Sequence, residues 1–292
     1  MPSRNGLVAT AEDLPPRVSD ALASPHPGQP GAVDVDGRCW PFLAWGGSSD
    51  PPLLLAHGVN SNARIWWRIG PALAAAGHRV VAIDMPGHGQ TAALPGHYRF
   101  VETATAVADF IRSAGLAHSE LNVLGHSWGG VVAAHLPQVG VRPAMLVLLD
   151  PPWLSLEQLE ALTRDPTERH YDSLGEARRA VRAGNPDWSD GDVIAKARAL
   201  TEVDAAHVRA VLLRNGVWDA GISALRHHDT SGVRLWLIRG EPSTGGLIPD
   251  EALPTIYAMI DPEQVITITR GTHSPQRTHP EATVLAILGA LA

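Results

Sequence analysis

The stretch Gly125-His126-Ser127-Trp128-Gly129-Gly130 leaves this chain few ways to fold. It follows the apolar run 121–124 and leads into 131–136, which is small and apolar, so a buried strand must become a helix within a few residues. In a turn that sharp, side chains at 125 and 129 would strike the neighbouring strand and helix, and both positions are glycine. Ser127 stands at the apex, its hydroxyl directed over the sheet edge at the start of the helix. Unpaired N–H groups and the helix dipole favour negative charge there.

The rest of the chain supplies a sheet for that turn. Strands are expected at 33–35 and 40–45 around the turn Asp36-Gly37, then at 53–56, 79–83, 121–124, 145–149, 234–238 and 264–268. Helices are expected at 65–76, stopped by Gly77, at 102–114 with Val107, Phe110 and Ile111 on one face, and at 280–291. Short apolar strands alternating with helices predict a mostly parallel α/β sheet covered on both faces. Residues 154–229 break the alternation with helical spacing at 156–162, 174–183, 193–200 and 205–213. An all-helical cap inserted after the sixth strand is the expectation. The core is then 32–153 plus 230–292, and residues 1–31, with prolines at 15, 16, 25, 27 and 30, read as a partly ordered extension.

Charge and composition exclude several classes of partner. A net charge of −7 with no densely basic stretch argues against nucleic acid or an anionic membrane surface. No apolar run approaches the roughly 20 residues of a membrane span, and no signal-peptide core is present, so a cytoplasmic protein is expected, as monomer or homodimer. Cys39 is the single cysteine, no Cys/His spacing suits a metal, and no cofactor is implied. Lys196 is the single lysine of an arginine-rich chain.

The pattern G-x-S-x-G between strand and helix is that of a nucleophile elbow. A serine hydroxyl needs a base within hydrogen-bond reach. His273, in Arg270-Gly271-Thr272-His273 directly after the last strand, falls at the same sheet edge and is the best candidate among the histidines.

With His57-Gly58, Asp84-x-Pro86-Gly87-His88-Gly89, the elbow and His273 in this order, the chain resembles the α/β-hydrolase superfamily over about residues 32–292. The resemblance implies Ser127 as nucleophile, His273 as base, and the backbone N–H groups of Val59 and Trp128 as oxyanion hole. Relatives commonly carry an aspartate three residues beyond the glycine ending the seventh strand; here that position is Ser243. The acid is then Asp150, at the end of the sixth strand as in some branches of the superfamily, or, as the alternative, Glu241. A serine nucleophile implies an acyl-enzyme, hence a carboxylic ester or lactone as the small-molecule substrate. Acyltransferase or perhydrolase chemistry and a non-catalytic binding protein are the competing readings. Trp66, Trp67, Trp153 and Trp218, together with Trp128, are expected to wall an apolar pocket for an uncharged substrate.

Overall fold

A computed structural model describes residues 6–96 and 98–292; residues 1–5 of the expected extension lie outside them. The strands are β1 (Gln29–Val35), β2 (Arg38–Trp45), β3 (Pro52–Ala56), β4 (Arg79–Ile83), β5 (Asn122–His126), β6 (Met145–Leu149), the short pair β7 (Trp153–Leu154) and β8 (Trp218–Asp219), β9 (Arg234–Arg239) and β10 (Val265–Thr267). Eight of them form one sheet in the order β1-β2-β4-β3-β5-β6-β9-β10. β1 and β2 pair antiparallel, as do β2 and β4, and every pair from β4 to β10 is parallel. The order reverses between β3 and β5. In open α/β sheets the crevice beyond the carboxyl ends at such a switch point is where ligands bind.

The central strands are buried on both faces, and their side chains alternate between two cores. Leu54, Ala56, Val81, Ile83, Leu146 and Leu148 join one apolar cluster, whereas Leu53, Leu55, Val80, Ala82, Met145 and Val147 join the other. Helix α3 (Phe100–Ser113) closes the first face with Val107, Phe110 and Ile111, and α4 (Trp128–Ala134) adds Val131 and Val132. Helices α1 (Pro16–Ala23), α2 (Ile69–Ala75) and α12 (Pro280–Leu291) close the second.

The expected extension over 1–31 is corrected by this packing. Leu14, Val18 and Leu22, spaced four apart, are buried against the second face, and Gln29 already opens β1. Pro15 and Pro16 begin a helix rather than a loose tail, because proline is tolerated at a first helical turn.

Between β6 and β9 lie α5 (Leu156–Leu162), α6 (Leu174–Gly184), α7 (Asp190–Thr201), α8 (Ala205–Leu213) and α9 (Ile222–His227), and α10 (Leu253–Tyr257) lies between β9 and β10. Leu159, Val211 and Leu212 join the first core, while Ala177 and Val181 of α6 and Val193, Ala197 and Leu200 of α7 form a satellite cluster. At the base of this segment β7 and β8 pair, Leu154 opposite Trp218. Polar ties fasten it to the loop after β3: Lys196 Nζ donates to Asn60 O at 3.0 Å, Asn62 Nδ2 to Glu202 at 2.9 Å, and Trp67 Nε1 to Asp192 at 3.0 Å. Among the described residues no helix is long and apolar enough to cross a membrane.

Candidate active site

Ser127 follows β5 with φ +56° and ψ −126°, a conformation that costs a side-chain-bearing residue about 1–3 kcal/mol. The surroundings hold it there. Its N–H donates to Leu149 O on β6 at 2.9 Å, and its carbonyl accepts Gly130 N–H at 2.8 Å. A Cβ at Gly125 would lie 2.3 Å from Gly129 O, and one at Gly129 would lie 2.5 Å from Ala56 O. The elbow therefore packs backbone on backbone and tolerates no side chain at 125 or 129.

The Ser127 hydroxyl lies 2.9 Å from His273 Nε2, and His273 Nδ1 lies 2.7 Å from Asp150 Oδ2. Both separations are within the reach that proton transfer requires. Asp150 is fully buried at the end of β6. It is the acceptor for two peptide groups as well: Gly240 N–H to Oδ1 at 2.9 Å and Leu247 N–H to Oδ2 at 3.0 Å. An ionised carboxylate so surrounded keeps the imidazole proton on Nδ1, which leaves the Nε2 lone pair for the serine hydroxyl. Glu241 does not meet His273. Its Oε2 accepts Arg270 N–H at 2.6 Å, so the side chain braces the turn ahead of the histidine.

The loop after β3 comes as close to the serine as a peptide can. A Cβ at Gly58 would stand 2.7 Å from Ser127 Cβ and 3.1 Å from its Oγ. Val59 lines the cavity above the serine. Trp128 is the first residue of α4, so its N–H has no intrahelical acceptor. Buried His57 fixes the loop: its Nε2 accepts Met85 N–H at 2.8 Å and its Nδ1–H donates to Gly58 O at 2.7 Å. Acceptance at Nε2 requires the neutral ring. Burial pushes the His57 pKa down to about 4, against the opposing effect of the Gly58 bond. His88 falls to about 3, through burial first and then the neighbouring His57. His126 donates from Nε2 to the carbonyl of His273 at 2.8 Å, and its ring lies 4.9 Å from the His273 ring. Burial, and then the charge of His273, holds His126 well below the ordinary histidine range.

Ser127 and His273 open into a cavity of about 390 Å³. Its walls correct the expectation of an apolar, tryptophan-lined pocket. Trp218 does line it, but is also packed edge-on against Phe100 in the core. Trp66 is fully buried beneath the second face, with its ring 6.5 Å from that of His126. Trp67 is spent on Asp192, and Trp153 sits in the β7–β8 pair. Trp128 is likewise buried in the core against His88. The cavity instead receives Trp188, Asn185, Lys196 and Arg277, along with Asp165 and Glu168. The sequence signal for them was slight: the single lysine of the chain, and an arginine one helical turn after His273. Among the described residues no group of three or more His, Cys, Asp or Glu side chains is arranged to hold a metal ion.

The architecture is one found widely among solved structures. The family model described as the alpha/beta hydrolase fold matches residues 51–215, more than half of the chain, and the chain belongs to that family. It is 32% identical over 120 residues to the dihydrolipoyllysine-residue acetyltransferase component of the acetoin cleaving system of Pseudomonas putida, a match covering 41% of this chain and 31% of that protein. It is 35% identical over 88 residues to esterase PIR7B of Oryza sativa subsp. japonica, covering 30% of this chain and 33% of that protein. The matches thus span about a third of these curated relatives. Among solved structures, an E-2-(acetamidomethylene)succinate hydrolase superposes with a TM-score of 0.74 at 21% identity, over 91% of this chain and 99% of that one.

Proposed function

We propose that this protein is a serine hydrolase that cleaves a carboxylic ester or lactone of small to medium size through an acyl-enzyme. The observation that carries the reading is the continuous chain of contacts from Ser127 Oγ through His273 to the buried Asp150. Ser127 Oγ attacks the carbonyl carbon while its proton passes to His273 Nε2. The Asp150 carboxylate stabilises the imidazolium, and the N–H groups of Val59 and Trp128 take up the negative charge on the carbonyl oxygen. His273 then gives the proton to the departing alkoxide oxygen, and the carbon–oxygen bond breaks to leave an ester on Ser127. Water, deprotonated by His273, attacks that ester; the acid leaves and the proton returns to Ser127.

The likeness to a plant esterase is consistent with this chemistry. The test is hydrolysis of 4-nitrophenyl esters from acetate to decanoate by wild type and Ser127→Ala, with fluorophosphonate labelling mapped by mass spectrometry. Label on Ser127, and a fall of about 10³-fold or more in kcat for the alanine variant, are expected. Label elsewhere, or activity retained without Ser127, would overturn the reading.

A further inference from the structure

Two arginines, Arg239 and Arg277, are buried to less than a tenth of their surface among the described residues, and they differ in kind. Arg239 is fully engaged: Nε to Thr267 Oγ1 at 2.9 Å, Nη1 to Ile248 O at 3.0 Å, and Nη2 to Asp250 at 2.6 Å. Arg277 has no such set. Its Nε is buried without a partner, and no hydrogen bond or ion pair joins its guanidinium to any described residue. Its side-chain contact is a stack on Trp188, with Cζ 4.4 Å from the ring centroid.

The carboxylates near enough to influence Arg277 are already committed. Glu168 receives Lys196 Nζ at 2.5 Å, and Asp192 receives Trp67 Nε1, Arg68 at 3.3 Å and Ser189 Oγ at 2.6 Å. Asp165, which shares the cavity wall, is held by the N–H and hydroxyl of Thr167 at 2.8 and 2.6 Å. A guanidinium has five donors and no acceptor, and stays protonated in proteins. Leaving it desolvated and unpaired is expensive unless an anion completes it. Arg277 faces the cavity that holds Ser127 and His273, one turn of α11 (Pro275–Thr278) after the histidine. Ser61 Oγ, also buried without a partner, lines the same space.

We propose that Arg277, braced on Trp188, is a specificity-determining anion subsite, and that the substrate carries a carboxylate besides the bond that is cleaved. The planar fork of the guanidinium matches the two oxygens of a carboxylate, and the indole behind it fixes its plane. Lys196 is neutralised by Glu168 and Asp165 is negative, which leaves Arg277 as the cation of the wall that no ion pair engages. The inference deepens the ester-hydrolase reading and rests on it for the bond cleaved, but not for the binding of the anion.

Two matched pairs of esters test it on either side of the scissile bond. The first is 4-nitrophenyl hemiglutarate against 4-nitrophenyl valerate; the second is 4-carboxyphenyl butyrate against 4-carbamoylphenyl butyrate. Wild type is expected to favour the carboxylate member of at least one pair by about tenfold or more in kcat/KM, the scale of a charge-assisted hydrogen bond. Arg277→Met should bring that ratio near one, with Arg277→Lys between; because a ratio is read, loss of folded enzyme cancels. In parallel, calorimetry of glutarate with Ser127→Ala, with and without Arg277→Met, should show at least tenfold weaker binding in the double variant. No carboxylate preference in either pair, a preference unchanged by Arg277→Met, or glutarate binding indifferent to Arg277 would overturn the subsite. Glutarate binding that depends on Arg277 in a protein that cleaves no ester would keep the subsite and refute the hydrolase reading. Turnover of the neutral esters without any effect of Arg277 would do the reverse.

Discussion

Asp150 Oδ1 accepts the backbone N–H of Gly240 at 2.9 Å, so the loop after β9, with Ser243 where relatives carry an aspartate and Glu241 turned to Arg270, contributes peptide donors to the acid on β6. Leu247 N–H adds a second, and the segment between them folds around Asp150 rather than reaching for His273. Glycine at 246 permits this approach: a Cβ there would lie 2.5 Å from Gly240 O. The carboxylate and the loop have exchanged roles.

This exchange sets the ranking of two variants. Asp150→Asn keeps the shape but removes the charge and permits the wrong imidazole tautomer, so kcat for 4-nitrophenyl acetate should fall by roughly 10²–10⁴-fold. Glu241→Gln loosens only the bond to Arg270 N–H and should cost less than about tenfold. The opposite ranking would transfer the acid to the loop after β9.

Much of the scaffold was legible in the sequence because buried strands and a glycine-bounded serine leave narrow choices. The helices at 156–162 and 205–213 agree with α5 and α8 to the residue, and the side chains of Ser155 and Asp204 cap their starts. The N-terminal segment is the exception: its prolines suit a loose tail, while the i, i+4 spacing of Leu14, Val18 and Leu22 is what packs it on the sheet. The pocket walls were hardest, since a tryptophan's type says it will be buried but not against what. Trp66 and Trp188 differ only in which segment folds back over the serine, and that is a tertiary fact.

Gly58→Ala should damage catalysis more than folding. The added methyl would stand 2.7 Å from Ser127 Cβ and 3.1 Å from its Oγ, displacing the nucleophile beside Val59, whose N–H we propose as an oxyanion donor. A fall of about 10²-fold or more in kcat, the scale of losing one oxyanion donor, is expected, with the thermal midpoint lowered by only a few degrees. Equal activity of Gly58→Ala and wild type would remove the loop after β3 from the reacting centre.

Trp188 and Trp66 separate cavity from core. Trp66→Ala empties a fully buried site and should lower stability by about 3–5 kcal/mol in urea denaturation. Trp188 is half-buried on α6–α7 ground, and its replacement by alanine should alter KM across an ester series while leaving most of the stability in place. A Trp188→Ala protein with an unchanged ester profile would show that the indole does not meet the substrate.

The buried histidines make stability depend on pH in a defined direction. His57 and His88 titrate near 4 and 3 in the folded chain and near 6.5 when unfolded. Between those values the unfolded chain binds protons that the native one refuses, so unfolding becomes easier as pH falls. Each such group contributes up to about 1.4 kcal/mol of lost stability per pH unit once pH is below 6.5. The raised pKa of Asp84, from burial, works in the opposite sense, because the native state then takes up a proton more readily than the unfolded one. His78, His126, His135 and His279 are shifted down by burial in the same sense as His57 and His88, so the histidines outnumber that one opposing carboxyl. Urea unfolding from pH 7.5 to 5 at constant m-value should therefore trace a falling free energy. His88→Gln should flatten that slope by about one proton's worth, since the amide does not titrate and the unfolded chain loses one site. A slope identical in wild type and His88→Gln would mean that His88 takes up its proton in the native state, against the burial that surrounds it.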